Sequence, residues 1–378
     1  MASSTADVVI VGGGIVGSSA AYRLVRAGMK VVLVDRADQG YATNAGAGII
    51  APGTTHTTPP AFFPLAFTAV SYFPTLLRDL AEDGETDPGY AVVGSLFVAT
   101  NDAELARLPQ IHALAQERAA KGVHNVGEVR LITGAEAREL HPVLAEIPAA
   151  IHCSGSARMD ARLMRDALRR ASLKRGLVVV EGDGEIVRDG DRVTGVRVDG
   201  ETISSAATIV SAGAWSSPLG ETLGFRLPVS PERGQIIHLI MPTMETAHWP
   251  IVSGFHSHYQ LTFPTNKVVV GATRETGAGY DYRLTAGGVH EVLSEALRVS
   301  PGLAVATVLE IRIGFRPTSD DHLPILGKAP NYQNLYLATG HGSAGLQLGP
   351  YSGAAVADLV QGLPVGVNLT PFSVDRFQ

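Results

Sequence analysis

Residues Val8-Val9-Ile10-Val11 form a β-branched apolar run with no polar position between them, the pattern of a strand covered on both faces. Gly12-Gly13-Gly14-Ile15-Val16-Gly17 follows at once. Ala20, Ala21, Leu24 and Val25 then recur at helical spacing, Gly28 stops the helix, and Lys30-Val31-Val32-Leu33-Val34 is a second strand ending on Asp35. Beyond residue 54 the pattern is helical with polar interruptions, as in Ala103 to Lys121, and suggests insertions into the first unit. A helix is predicted from Asp160 to Arg175, followed by the strand Leu177 to Val180, alternating strands through Val193 to Val198, and a buried strand from Thr208 into the small-residue turn Ala212-Gly213-Ala214-Trp215. In His258 to Pro264, Tyr259, Leu261 and Phe263 share one strand face. In Val308 to Pro317, Leu309, Ile311, Ile313 and Phe315 face one way, and Glu310, Arg312 and Arg316 the other. Gly340-His341-Gly342-Ser343-Ala344-Gly345 leads into a helical run in which Pro350 is tolerated only if the regular helix begins near it.

The first of these patterns carries chemistry. Gly12, Gly14 and Gly17 stand in the G-x-G-x-x-G spacing between a strand and a helix, where glycines allow a tight turn and close approach of a pyrophosphate to the helix N-terminus. Asp35, at the end of the second strand, suits a ribose 2′-hydroxyl. The unit predicts a dinucleotide site and leaves NAD and FAD both open. The stretch Thr43-Asn44-Ala45-Gly46-Ala47-Gly48-Ile49-Ile50-Ala51-Pro52 is small and aperiodic, as expected of backbone lying against something bulky and flat.

Length and charge narrow the class. A chain of 378 residues favours two joined domains over a single core. With 45% hydrophobic and 17% charged residues it is an ordinary globular composition, and a formal net charge of −6 argues against a nucleic acid or an anionic membrane as partner. A small diffusing substrate fits better. The single cysteine, Cys153, excludes an intramolecular disulfide or a thiolate metal cluster and suits a reducing compartment. The first residues carry no basic n-region and no apolar stretch reaches the length of a membrane helix, so a cytoplasmic location is expected. His256 and His258 have the spacing of a metal pair, but no Cys or acidic ligand lies beside them in sequence, and no metal is expected.

The order of motifs, from Val9 to Asp35 through Ala45-Gly46-Ala47-Gly48-Ile49-Ile50-Ala51-Pro52, Ile209 to Trp215, Pro231-Glu232-Arg233-Gly234-Gln235, Val269 to Thr273, Gly314-Phe315-Arg316-Pro317 with Leu323 to Gly327, and Ala338 to Gly342, resembles the family of D-amino-acid oxidases, glycine oxidases and D-amino-acid dehydrogenases over nearly the whole chain. The resemblance implies an α+β flavoprotein of two interwoven domains: a Rossmann-like FAD domain from residues 1–85, 150–225 and 315–378, and a mixed-sheet substrate domain from 86–149 and 226–314. It implies FAD rather than NAD, held noncovalently because the C-terminal flavin loop has no cysteine. Gly12, Gly14 and Gly17, with Ile15 and Val16 between them, and Asp35 with Arg36 would hold the adenosine diphosphate half. Thr43 and Asn44 would lie near the pyrophosphate and ribityl chain, Gly48, Ile49 and Ile50 beside the isoalloxazine, and the backbone near Glu185 against adenine. Ala212, Gly213 and the loop Gly340, His341, Gly342, Ser343, Ala344, Gly345 and Leu346 complete the cofactor set, the last at a helix start whose dipole would stabilise charge on the flavin N1/O2 edge.

For the substrate, the resemblance assigns a carboxylate to Arg316, whose guanidinium can donate two parallel hydrogen bonds; Arg312, with Glu310 available as a partner on the same strand face, is read as structural. Tyr259 and Leu261 would form the opposite wall, with an aromatic core stripe as the alternative; several members carry tyrosine at the position of Leu261, where Tyr259, two residues earlier on the same face, would compensate. Glycine oxidase has an arginine where this chain has Ser343, so one guanidinium is expected to hold the carboxylate alone. The implied reaction is oxidative deamination of an amino acid, with a D-amino acid leading, by hydride transfer from the α-carbon to flavin N5; the imine hydrolyses to a 2-oxo acid, and electrons pass to oxygen or a quinone-like acceptor. A secondary-amine enzyme acting on sarcosine, proline or hydroxyproline is the nearest rival, and a non-catalytic flavin-binding subunit the rival from another class.

Overall fold

The computed structural model describes Thr5 to Gln378; Met1 to Ser4, part of the N-terminus read above as free of a basic n-region, lie outside the described residues. The strand β1 (Thr5–Val11), the helix α1 (Ile15–Arg26) and the strand β2 (Val31–Asp35) form where the apolar pattern puts them. β1 sits in an eight-stranded sheet in which Val178–Glu181, β2, β1, Glu201–Val210 and Leu335–Thr339 run parallel, and Glu185–Asp189, Arg192–Val198 and Ile325–Lys328 are added antiparallel. The unbroken apolar run of β1 follows from cover on both faces. Val8 and Ile10 pack with Ala20, Leu24 and Val356 on one side, and Val9 and Val11 with Val32, Val34 and Val196 on the other.

A second eight-stranded sheet is built from Thr307–Ser319, Val229–Ile240, Lys267–Gly271, Tyr259–Phe263, Ile251–Gly254, Ser95–Ala99, Ala149–Cys153 and Val129–Thr133 in that order, antiparallel except between Ile251–Gly254 and Ser95–Ala99. A small third sheet joins Ile49–Ile50 to Ala157–Met159 and Tyr90–Val92. Its geometry demands glycine at residue 48: φ is +89°, and a Cβ there would lie 1.8 Å from the Met159 carbonyl oxygen. No helix among the described residues is long and apolar enough to cross a membrane.

Several elements differ from the sequence expectation. The helical stretch from Ala103 is two helices, Asp102–Leu105 and Leu108–Ala120, because Pro109 occupies the first turn of a new helix. Val308 and Leu309 are exposed, not core, since they lie on an edge strand beside a register shift opposite His238 and Leu239. The C-terminal helix runs Gly345–Val360 with Pro350 inside it, well past the first turn; a 3-10 turn over Gly342–Ala344 starts the coil early. That helix is welded to α1 through glycine: a Cβ on Gly353 would lie 2.3 Å from the Val16 carbonyl oxygen and 2.8 Å from the Ala20 nitrogen.

Candidate active site

The glycine turn after β1 is fixed by close backbone packing. Gly12 has φ +105°, and a Cβ there would meet the Ser211 carbonyl oxygen at 2.4 Å; one on Gly17 would meet the Gly12 carbonyl oxygen at 1.9 Å. Ser211 Oγ donates to that same Gly12 carbonyl at 2.8 Å. The N-terminus of α1 has no side-chain cap on Gly14, and the Ile15 N–H donates to Thr43 Oγ1 at 3.0 Å. Donors of the first turn remain for an anion. Asp35 accepts from Arg169 Nη2, which also donates to the Gly13 carbonyl at 2.7 Å, so an ion pair lies across the glycine turn.

This turn opens into a cavity of about 360 Å³. Gly12, Gly14, Ile15, Val16, Asp35, Arg36, Thr43, Gly48, Ile49, Ala212, Gly213, His341, Gly342, Ser343, Gly345 and Leu346 all line it, as do Tyr259 and Arg316. Segments from both large sheets therefore meet around one space. Gly17, Asn44, Ile50, Leu261, Gly340 and Ala344 do not line it. Leu261 is fully buried in a cluster with Ile236, Phe263 and Val269 behind Tyr259, so the position read as a substrate wall is core. Asn44 offers its carbonyl to Arg162 and its Oδ1 to Arg165, tying the small-residue segment around it to the helix Ala161–Lys174. Glu185 stands off the cavity, exposed and paired with Arg197 at 3.1 Å; the wall there is made by Gly182, Asp183 and Gly184 just before it.

Arg316 comes from the edge strand Thr307–Ser319, opposite Glu232 on Val229–Ile240. Its Nη1 donates to Glu232 Oε1 at 2.9 Å and to the Thr273 carbonyl at 3.1 Å, which leaves Nη2 and Nε for a carboxylate. The side chain is 15% exposed. The guanidinium lies over Gly234, where a Cβ would come within 2.5 Å of Nη2, so glycine there makes room for it. Arg312 instead pairs with Glu310. Tyr259 is beside Arg316, and burial raises its hydroxyl above the ordinary tyrosine range, so it stays a neutral donor. His341 is buried, and burial pushes it down to about 4. It is neutral at physiological pH and is no proton-charged acid there.

Sequence reasoning missed several wall residues. Arg274 also lines the cavity and donates to the same Glu232 oxygen at 3.2 Å, so Arg316 is not the lone guanidinium; Arg274 directly follows the Val269–Thr273 motif, which is the signal that could have found it. Ser257, Trp215 and Tyr41 line the space as well. The absence of an acidic neighbour for His256 and His258 does not hold in three dimensions: the helix Ala286–Val299 brings Glu295 close enough that ligating atoms of the three lie within 4.8 Å of one another. Arg298 already engages that carboxylate at 2.8 Å. Cys153 is fully buried in the second sheet, does not line the cavity, and has its thiol pushed up to about 11 by burial.

Residues 7–359 match the family model described as FAD dependent oxidoreductase. The crystal structure of iminodiacetate oxidase from Chelativorans sp. BNC1 superposes with a TM-score of 0.93 at 40% identity, over 97% of this chain and 98% of that one. Glycine oxidase from Geobacillus kaustophilus superposes with a TM-score of 0.86 at 28% identity over 98% of each chain. The glycine oxidase of Pseudomonas aeruginosa is 30% identical, covering 97% of this chain and 98% of its own.

Proposed function

The chain belongs to the family of FAD-dependent oxidoreductases that includes the glycine oxidases, and from that premise we propose that it oxidises the α-carbon to nitrogen bond of a carboxylate-bearing amine. The glycine turn, the start of α1, where Gly14 supplies no side-chain cap, and the mostly small-residue wall Ala45 to Ile49 fit FAD: all line the cavity, and first-turn helix donors suit the pyrophosphate. Gly12, Gly14 and Asp35 would hold its adenosine half, Gly48, Ile49 and the turn Gly342 to Gly345 its ring. When bound, FAD supplies the acceptor for the two electrons of the substrate C–H bond.

The observation that carries the reading is Arg316, a largely buried guanidinium with free donors in the wall of the cofactor cavity. It would fix the carboxylate in two-pronged geometry and so orient the neighbouring α-carbon. Tyr259, neutral and beside it, would close the substrate space and exclude water. The reacting amine is the neutral form, and the resulting imine hydrolyses in water to a 2-oxo acid and ammonia, or a primary amine where the substrate is a secondary one. Oxygen or a quinone-like acceptor would take the electrons onward, and a cytoplasmic setting accords with the single buried cysteine.

Among chiral amino acids the proposal favours the D-enantiomer. A secondary amine is the second reading, supported by the 40% identity to an iminodiacetate oxidase. Arg316→Ala is expected to lower kcat/KM by roughly 30-fold to several thousand-fold, since truncating one side of a desolvated charge pair costs about 2–5 kcal/mol. Arg316→Lys should restore only part, as an ammonium keeps charge but loses the fork. FAD content should be unchanged in both. Undiminished rates in Arg316→Ala would place the carboxylate elsewhere.

A further inference from the structure

Besides Arg36 at the Asp35 side, two guanidiniums meet in the cavity wall at Glu232, and they share a single carboxylate oxygen. Arg316 Nη1 and Arg274 Nη1 both donate to Glu232 Oε1, at 2.9 and 3.2 Å. The three side chains together carry one surplus positive charge. The backbone on both sides of Arg274 is pinned. Thr273 is fully buried, its hydroxyl accepts from the Gln235 N–H at 2.9 Å, and its carbonyl accepts from Arg316. Glu275 exchanges backbone hydrogen bonds with Arg233 at 2.9 and 3.3 Å. Among the described residues the Arg274 side chain makes one hydrogen bond, to Glu232, and it is 47% exposed. A fixed Cα bearing a loosely engaged guanidinium at a cavity edge is the arrangement of an anion-capturing arm. A merely solvated pair is the alternative, and it would contribute little.

We propose that Arg274 is a second carboxylate-binding group of this cavity and that the substrate is an amine flanked by two carboxylates, one held on Arg316 and the other on Arg274. The proposal rests on the reading of Arg316 as the first carboxylate anchor. Glu232 acts as a shared counter-ion that holds both forks in place, and the one surplus positive charge that remains favours a substrate bearing two carboxylates over one bearing a single carboxylate. Arg274 is a specificity residue: it binds the distal carboxylate and touches neither the α-carbon nor its nitrogen. A substrate with one carboxylate leaves it idle.

The test compares iminodiacetate with N-methylglycine, which differ in the distal carboxylate alone, using holoenzyme. The parent should show a lower KM for iminodiacetate. Arg274→Gln should raise that KM on the order of tenfold to a hundredfold, leave kcat within about twofold, and raise the KM for N-methylglycine at least several-fold less than that for iminodiacetate. Titration of the flavin absorbance with oxydiacetate, which has both carboxylates and no amine to oxidise, should show the same loss of affinity in Arg274→Gln but not with methoxyacetate. Equal KM for the two amines in the parent, or an unchanged iminodiacetate KM in Arg274→Gln, overturns the proposal. Oxidation of neither amine by the parent overturns the proposal but leaves the Arg316 reading standing if another carboxylate-bearing amine such as D-alanine is oxidised, whereas oxidation of both with equal KM removes the role of Arg274 alone.

Discussion

Arg169 and Asp35 show how one residue can carry two jobs. Asp35 ends β2 where a ribose acid is expected, yet it is ion-paired to Arg169 across the glycine turn. Both side chains are about a quarter exposed, so the pair contributes modestly to stability. A ribose role predicts that Asp35→Asn raises the Kd for FAD by about 5- to 100-fold, a loss of roughly 1–3 kcal/mol. Arg169→Ala, which keeps the acid, should raise it less. Equal loss in the two variants, measured by FAD titration of apoprotein, would make the ion pair the source of the effect. The acid was legible because strand, glycine turn, helix and strand lie within 35 residues of the N-terminus. Arg169 was not, being 134 residues away in sequence, and Glu232, which engages Arg316, lies 84 residues from it.

At the scale of elements, α1 and the helix Gly345–Val360 matter because both start at the cavity, α1 behind Gly14 and the C-terminal helix behind Gly342 and Ser343. Their spacing is set by Gly353, whose missing side chain lets Val16 and Ala20 come into contact. Gly353→Val should therefore force the helices apart, costing about 1–3 kcal/mol by overpacking and weakening FAD binding as the start of α1 shifts. Gly287→Ala is the control: it lies in a helix with nothing near its Cβ position and should hold or raise stability. A Gly353→Val protein with parental melting temperature and FAD affinity would show that the contact does not position the site. Local pattern made α1 legible, since its apolar spacing and the glycines flanking it agree. It misjudged the C-terminal helix, because Pro350 argues for a late start and only the packing of Gly349 and Gly353 on α1 shows why the earlier one is kept.

Across the described residues, burial lowers five imidazoles, His152 and His256 among them, and three of them far: His141 and His341 are pushed down to about 4 and His238 to about 3, the last also by Arg312 nearby. In the unfolded chain each takes up a proton near pH 6.5. The unfolded state thus binds more protons over that interval, so this stability is fully present above about pH 6.5 and is lost as pH falls toward 4. The slope approaches about 1.4 kcal/mol per pH unit for each imidazole. Melting of the FAD-saturated protein should drop by several degrees, on the order of the response to a few kcal/mol, between pH 7 and pH 5. An unchanged midpoint would mean that these histidines are protonated in the fold. The interleaving of two large sheets around one cavity brings Arg316 and Tyr259 from the second sheet to the glycine turn of the first, and the oxidation of a carboxylate-bearing amine rests on that meeting. Its most direct test is anaerobic mixing of the purified holoenzyme with glycine, N-methylglycine, iminodiacetate and D-alanine, each paired with the amine that lacks every carboxylate (dimethylamine for both N-methylglycine and iminodiacetate), while flavin absorbance is followed. The account predicts stoichiometric bleaching by at least one carboxylate-bearing amine and little by its decarboxylated counterpart; bleaching by none of them, or equally fast bleaching by the decarboxylated amine, would contradict it.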